Sequence, residues 1–237
     1  YTVATQIPLG QAPGVPPFFG GRFTTNTFTG YSAASNTNTA AIWVEWVAAR
    51  LGVAITPAEV GFGTRSVKCP AAAQTPALAE SCTGYGQGGA LVTSPDGINK
   101  AQGFLTVPLV TQVANHLARF SSFQSTDIVF VFGGANHLLT NFTAVGQGLA
   151  PATALANMQT AGSELAALVK DQIVAKGATR VAVMNVPDIA PMPSFNSLPA
   201  SNSSLLGQMA SAFSEGLTPG LVGFDVSLIC MQGKLRD

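Results

Sequence analysis

Apolar positions divide this chain into an irregular first half and a regular second half. Residues 1–38 are dominated by Pro, Gly, Thr, Asn and Ser, and read as loop wrapping over a surface rather than as a core element. A helical pattern follows, with Thr39 able to serve as N-cap, Ile42, Val44, Trp46, Val47 and Leu51 recurring over residues 41–51, and Gly52 as its stop. From Thr56 to Lys100 the periodicity dissolves into Gly, Pro and small residues, apart from a short apolar piece at 90–92.

Beyond Gly103 the chain becomes regular. Val110, Val113, Ala114 and Leu117 predict a helix over about 107–120, and the continuous Ile-Val-Phe-Val-Phe run within 127–132 predicts a strand buried on both faces. A long helix is expected over roughly 151–176, with Leu155, Met158, Gly162, Leu165, Val169 and Ile173 on one stripe. Residues 180–185 read as a second buried strand, 205–217 as a helix and 221–226 as a third strand. This alternation argues for an α/β fold with a parallel sheet flanked by helices. With 237 residues, no internal repeat and no sharp shift in composition, the expectation is one domain.

Composition narrows the classes. Only 9% of residues are charged, against about 25% in ordinary globular proteins, while 47% are apolar and the formal net charge is zero. Disordered chains combine low hydrophobicity with high net charge, so that class is excluded. No basic stripe exists to neutralise phosphates, and nucleic acid is not expected as a partner. No apolar run approaches the roughly 18 residues that span a bilayer. Cys69 and Cys82 share a segment of Pro, Ala, Gln, Thr and Ser that could close as a disulfide, and two unpaired thiols is the other reading. Residue 1 is Tyr, preceded by no leader signature, so either a leader was removed or the chain begins inside a longer one. No metal site is expected, because no second Cys/His pair stands at ligand spacing and His116 and His137 are the only histidines.

Ligands of open α/β sheets bind outside the carboxyl ends of the strands. The loops to search are therefore Gly133-Gly134-Ala135-Asn136-His137 and Val186-Pro187-Asp188. Asn136 is placed either to aim its amide into that crevice, where it would stabilise negative charge without titrating, or to cap the turn. Gly84-Tyr85-Gly86-Gln87-Gly88-Gly89 satisfies the dinucleotide fingerprint as a string, but Ala79-Glu80-Ser81-Cys82-Thr83 is no buried strand and Pro95-Asp96-Gly97 ends whatever follows. It reads either as a flexible Gly-rich loop or as a place where a backbone N–H approaches a ligand closely. His116 is read as a surface or packing residue and His137 as bordering the crevice. No serine stands in a nucleophile elbow and no Asp-x-x-His occurs. Electrophilic stabilisers are thus present without a nucleophile or base.

That inventory resembles the middle of a GDSL, or SGNH, lipase or esterase. Phe19-Gly20-Gly21-Arg22-Phe23-Thr24, followed by Ile42-Trp43-Val44-Glu45-Trp46-Val47-Ala48-Ala49-Arg50-Leu51-Gly52, is similar to the family's "GRFSNG…WVEYLA..LG" stretch. Gly84 to Ala90 resembles its second block, usually "NYAVGGA", and Phe132 to Leu139 its third, usually "GGANDLL". Gln112-Val113 fits the "Q…YL" segment, Val183 to Asp188 resembles "VVNLPDLG", and Phe224-Asp225-Val226 the later "DV" strand. The likeness covers nearly the whole chain in order, and its specificity lies in the sum.

The resemblance implies a flavodoxin-like three-layer α/β/α sandwich with a parallel sheet, the SGNH hydrolase fold, residues 1–237 forming a single partial domain. It implies ester hydrolysis by serine acylation, with no cofactor. Gly89, with Gly88 as the fallback, and Asn136 match the oxyanion Gly and Asn, while the nucleophilic Ser and the Asp-x-x-His would lie outside these residues. The implied partner is a small-molecule or lipid ester, in a secreted or cell-envelope (periplasm or outer-membrane) setting. A membrane would be involved only indirectly, through an autotransporter barrel outside the chain. A non-catalytic carbohydrate- or lipid-binding homologue using the same crevice is the alternative. The chain departs from the pattern at Gly84 and Gly86, where Asn and Ala are usual, at His137, where Asp is usual, and over Cys230 to Asp237.

Overall fold

The computed structural model describes residues 42–195 and 197–229, which fall into two compact units. The first comprises residues up to Ala90 together with Pro95–Val107, and the second comprises Leu91–Ser94 with the residues from Pro108 onward. The expected N-cap Thr39, the 19–24 stretch, Cys230 and the tail after it lie outside the described residues.

In the first unit the expected early helix forms as α1, Trp43–Arg50. Its N-terminus is closed by Glu45, whose Oε2 accepts the Ile42 N–H at 2.9 Å, as a carboxylate in a first turn can. Val44 and Ala48 are buried along one side. The next segment is more ordered than its composition suggests. β1 (Glu59–Phe62) and β2 (Arg65–Lys68) form an antiparallel hairpin that pairs Val60 with Val67 and Glu59 with Lys68. The short helix α2 (Pro70–Gln74) and a 3-10 turn, Pro76–Ser81, follow. Cys69 and Cys82 form a disulfide that closes this segment on itself. Beside it, the Thr56 N–H donates to Ser81 O and the Gly84 N–H to Thr56 O, so the covalent link and the hydrogen bonds fix the same strip.

The second unit carries the sheet. Helix α3 (Leu109–Phe120) follows Pro108 and precedes β3, Val129–Phe132. Then come α4 (Ala135–Gly146), α5 (Pro151–Leu168), β4 (Val181–Met184), α6 (Ala200–Leu221) and β5 (Val226–Ile229). The strands are parallel in the order β3-β4-β5, with Val131 opposite Val183 and Val183 opposite Leu228. Parallel neighbours need helical crossovers, and α4 with α5, then α6, supply them. The expected α/β alternation is therefore present.

Three expectations need correction. The third strand lies at Val226–Ile229 rather than 221–226, because Leu221 is the buried end of α6 and Gly223, at φ +87°, turns the chain. Burial on both faces holds only for the central strand: Val181, Val183 and Met184 are buried, whereas Phe130 and Phe132 are half-buried and Ser227 and Ile229 exposed. The long helix ends as a true α-helix at Leu168 and continues as a π turn, Val169–Ile173, and a 3-10 turn, Val174–Lys176. On its stripe Leu155 is half-buried, and Ala154 and Ala161 join Met158, Gly162 and Leu165 in the core.

Where α5 meets α6 the contact is made by backbone. A Cβ on Gly162 would collide with Phe213 O and stand 2.8 Å from Leu217 N, and one on Gly216 would collide with Gln159 O. Around this crossing Met158, Leu165, Leu206, Met209, Phe213 and Leu217 are fully buried. Ser163 Oγ reaches across, donating to Gly216 O at 3.4 Å. No described helix is long and apolar enough to cross a membrane.

Gly216→Ala is expected to lower stability by about 1–3 kcal/mol through overpacking. Gly146→Ala, with open space at its Cβ, is expected to raise it by about 0.5 kcal/mol through helix propensity. Urea midpoints of the two variants check this, and equal midpoints would mean that α5 and α6 do not touch through their backbones.

Candidate functional site

The turn from β3 into α4 is built from two glycines under tight packing. A Cβ on Gly133 would lie 2.8 Å from Leu109 Cδ2. Gly134 has φ +98°, and a Cβ there would meet the Phe213 ring and Val186 Cγ2 at 2.5 Å. Both the conformation and the space demand glycine. The stretch expected as loop becomes helix at once, because Gly134 is itself the N-cap and Ala135, Asn136 and His137 form the first turn of α4. Asn136 is half-buried there and is not the capping residue.

His137 holds this first turn against the segment Leu91–Thr93. Its Nε2 accepts the Val92 N–H at 3.4 Å, and its carbonyl accepts from Asn141 Nδ2 at 2.9 Å. Nδ1 is buried and has no hydrogen-bond partner among the described residues. An Nε2 that accepts leaves the proton of the neutral ring on Nδ1. Burial pushes the imidazole below its ordinary 6.5, and the Glu164 carboxylate pulls it partly back. Glu164 in turn accepts from Thr93 Oγ1 at 2.8 Å, while the Leu109 and Val110 N–H groups donate to Leu91 O and Val92 O.

The polar groups after β4 are committed to structure. Asn185 is buried, donating through Nδ2 to Ser214 Oγ at 2.8 Å and accepting the Val186 N–H through Oδ1. Asp188 is exposed and accepts the Ala190 N–H at 2.9 Å. His116 is a packing residue: its ring stacks on Phe123 at 4.2 Å, and burial lowers its pKa against the raising influence of Asp127. A shallow groove of about 460 Å³ lies along α6, lined by Ser211, Ser214, Glu215, Thr218 and Pro219, none of them singled out by sequence.

Gly89 lies in the first unit and Asn136 in the second. Within its unit Gly89 has φ +81°, and a Cβ would stand 2.6 Å from Ile98 O and 2.9 Å from Thr106 Cγ2. Its carbonyl accepts the Ile98 N–H at 2.9 Å, and its own N–H makes no hydrogen bond among the described residues. Gln87 braces the loop by accepting the Val107 N–H through Oε1 at 2.9 Å. The Gly-rich string follows a 3-10 turn and opens no helix, which removes the setting a dinucleotide site requires. Gln87 and Thr106 were not singled out by sequence, since nothing in Phe104-Leu105-Thr106-Val107 marks a strained buried position. Among the described residues no group of three or more His, Cys, Asp or Glu side chains is placed to hold a metal ion.

No protein-family model matches this chain, and no curated protein matches it.

Because the folded-state pKa of His137 and of His116 lies below 6.5, the unfolded chain binds more protons in that window. Stability is then full above pH 6.5 and is lost as pH falls below it. Urea unfolding at a series of pH values from 7.5 to 5, as round figures spanning the ordinary histidine range, should show the midpoint falling. His137→Gln, which keeps an acceptor that does not titrate, should flatten part of that fall.

Proposed function

We propose that this chain supplies the oxyanion-binding part of a GDSL-type serine esterase or lipase, on a flavodoxin-like three-layer α/β/α fold, acting in a secreted or cell-envelope setting on a small-molecule or lipid ester. The observation that carries the reading is Gly89, held in a left-handed turn with its N–H in no hydrogen bond among the described residues. The parallel β3-β4-β5 sheet and the position of Asn136 just past the carboxyl end of β3 agree with it.

In the reaction, a serine Oγ forms a bond to the acyl carbon and gives its proton to a histidine. The carbonyl oxygen takes up the electron pair as an oxyanion. By the resemblance, the family's oxyanion Gly and Asn, each donor worth about 3 kcal/mol, correspond to Gly89 with its backbone N–H and to Asn136 with its side-chain NH2. The alcohol then leaves with the histidine's proton as the ester C–O bond breaks, and water releases the acyl group by the same steps. These donors carry no titratable proton, so they keep their polarity at any working pH. No GDS block and no Asp-x-x-His occurs in these 237 residues.

Two outcomes test the reading. The 237-residue chain alone should hydrolyse p-nitrophenyl butyrate no faster than buffer does. In the protein that also carries the GDS block and Asp-x-x-His, Asn136→Ala should lower kcat on the order of a hundredfold or more with KM little changed. Gly89→Ala is the poorer probe, because φ and Ile98 O would strain it in any case. Turnover by the 237-residue chain that vanishes in Asn136→Ala would place the nucleophile within it, and ester or glycan binding without turnover by the longer protein would point to a binding homologue.

A further inference from the structure

The residue packed beside Gly89, Thr106, is itself strained. Thr106 has φ +40°, a region that β-branched side chains avoid because Cγ crowds the backbone. It is fully buried, and its Oγ1 has no hydrogen-bond partner among the described residues. A buried donor left unmet and a strained backbone each oppose folding, so the surroundings must over-determine this conformation.

Those surroundings are visible. On one side of Thr106 the Leu105 carbonyl accepts from Lys100 Nζ at 2.8 Å, and on the other the Val107 N–H donates to Gln87 Oε1 at 2.9 Å. Cγ2 lies 2.9 Å from where a Gly89 Cβ would be, and Cβ and Oγ1 lie 2.6 and 2.8 Å from where a Gly97 Cβ would be. Two glycines have given up side chains to admit one threonine. Gly89 is then held at its carbonyl by the Ile98 N–H, and Thr106 fills the space where its Cβ would stand.

We propose that Thr106 is a positioning residue, a strained wedge that fixes the Gly89 peptide so that its N–H is pre-aimed. Its meaning for catalysis rests on the oxyanion reading of Gly89. Strain held at a position whose neighbour must present a backbone donor is what preorganisation requires, since the donor then needs no reorganisation when negative charge develops. A threonine serves because both branches are used, the methyl against Gly89 and the hydroxyl against Gly97.

The test compares Thr106→Val, Thr106→Ala and Thr106→Gly by 15N relaxation of the Gly89 amide and by thermal unfolding. Valine keeps both branches and removes the unmet hydroxyl, so Gly89 should stay rigid, with an order parameter of about 0.85, and Tm should rise. Glycine relieves the φ strain and removes the wedge, so the order parameter should fall below about 0.6. Alanine should lie between, and it carries the comparison with valine should the glycine variant fail to fold. A Gly89 amide equally rigid in all variants, or equally loosened in the valine and alanine variants, would overturn the proposal. The amide is read without substrate, so it is independent of the esterase reading. In the protein that carries the nucleophile, kcat should fall roughly tenfold with KM unchanged in the alanine variant and be preserved in the valine variant. A mobile Gly89 with unchanged kcat would leave the wedge standing and sink the oxyanion assignment.

Discussion

The backbone contact between α5 and α6 is the constraint on which the second unit depends. Removing side chains at Gly162 and Gly216 lets the helices approach until carbonyl and Cα meet. Dispersion then acts over many atoms at short range, and Phe213 and Leu217 are pressed fully out of water. The same Phe213 ring closes on Gly134, so the helix pair and the β3–α4 turn are one packing problem. Asn136 is placed by that turn. A change that loosened α5 from α6 would therefore act on Asn136 without touching it.

The first unit uses different means. Its described residues form short elements with few large buried side chains, and are tied by covalent and polar links: the Cys69–Cys82 disulfide, the Pro57–Gly84 bridge and the Gln87–Val107 hydrogen bond. Each tie closes near the Gly84–Gly89 string. Hydrophobic packing is not directional. Hydrogen bonds are directional, and these are the interactions found there.

The sequence was most legible where burial sets the pattern. β3 and β4 fall inside their expected runs because apolar β-branched residues there are buried in a parallel sheet, and α3 and α5 follow their apolar spacing. α4 was missed because Gly133-Gly134 signals a loop, whereas packing against Leu109 and Phe213 makes those glycines a helix entry. The β1–β2 hairpin was missed because four-residue strands interrupted by Gly61 leave almost no alternation to read. β5 was placed early because Leu221 and Val222 extend the apolar string, although the first ends a helix and the second is 74% exposed. Of the candidate residues, Gly89 and Asn136 stand out as residue types in suggestive strings. Thr106 does not, because a β-branched residue predicts extended backbone and its left-handed conformation is imposed by neighbours distant in sequence.

The central claim is that the Gly89 and Asn136 donors serve a serine's tetrahedral adduct. The most direct measurement is fluorophosphonate labelling of the protein that carries the GDS block, with the adduct located by mass spectrometry and its rate compared with that of Asn136→Ala. The expected result is one phosphonylated serine in that block, labelled on the order of a hundredfold more slowly once Asn136 is removed. An adduct on a serine within residues 1–237, or labelling whose rate ignores Asn136, would contradict it.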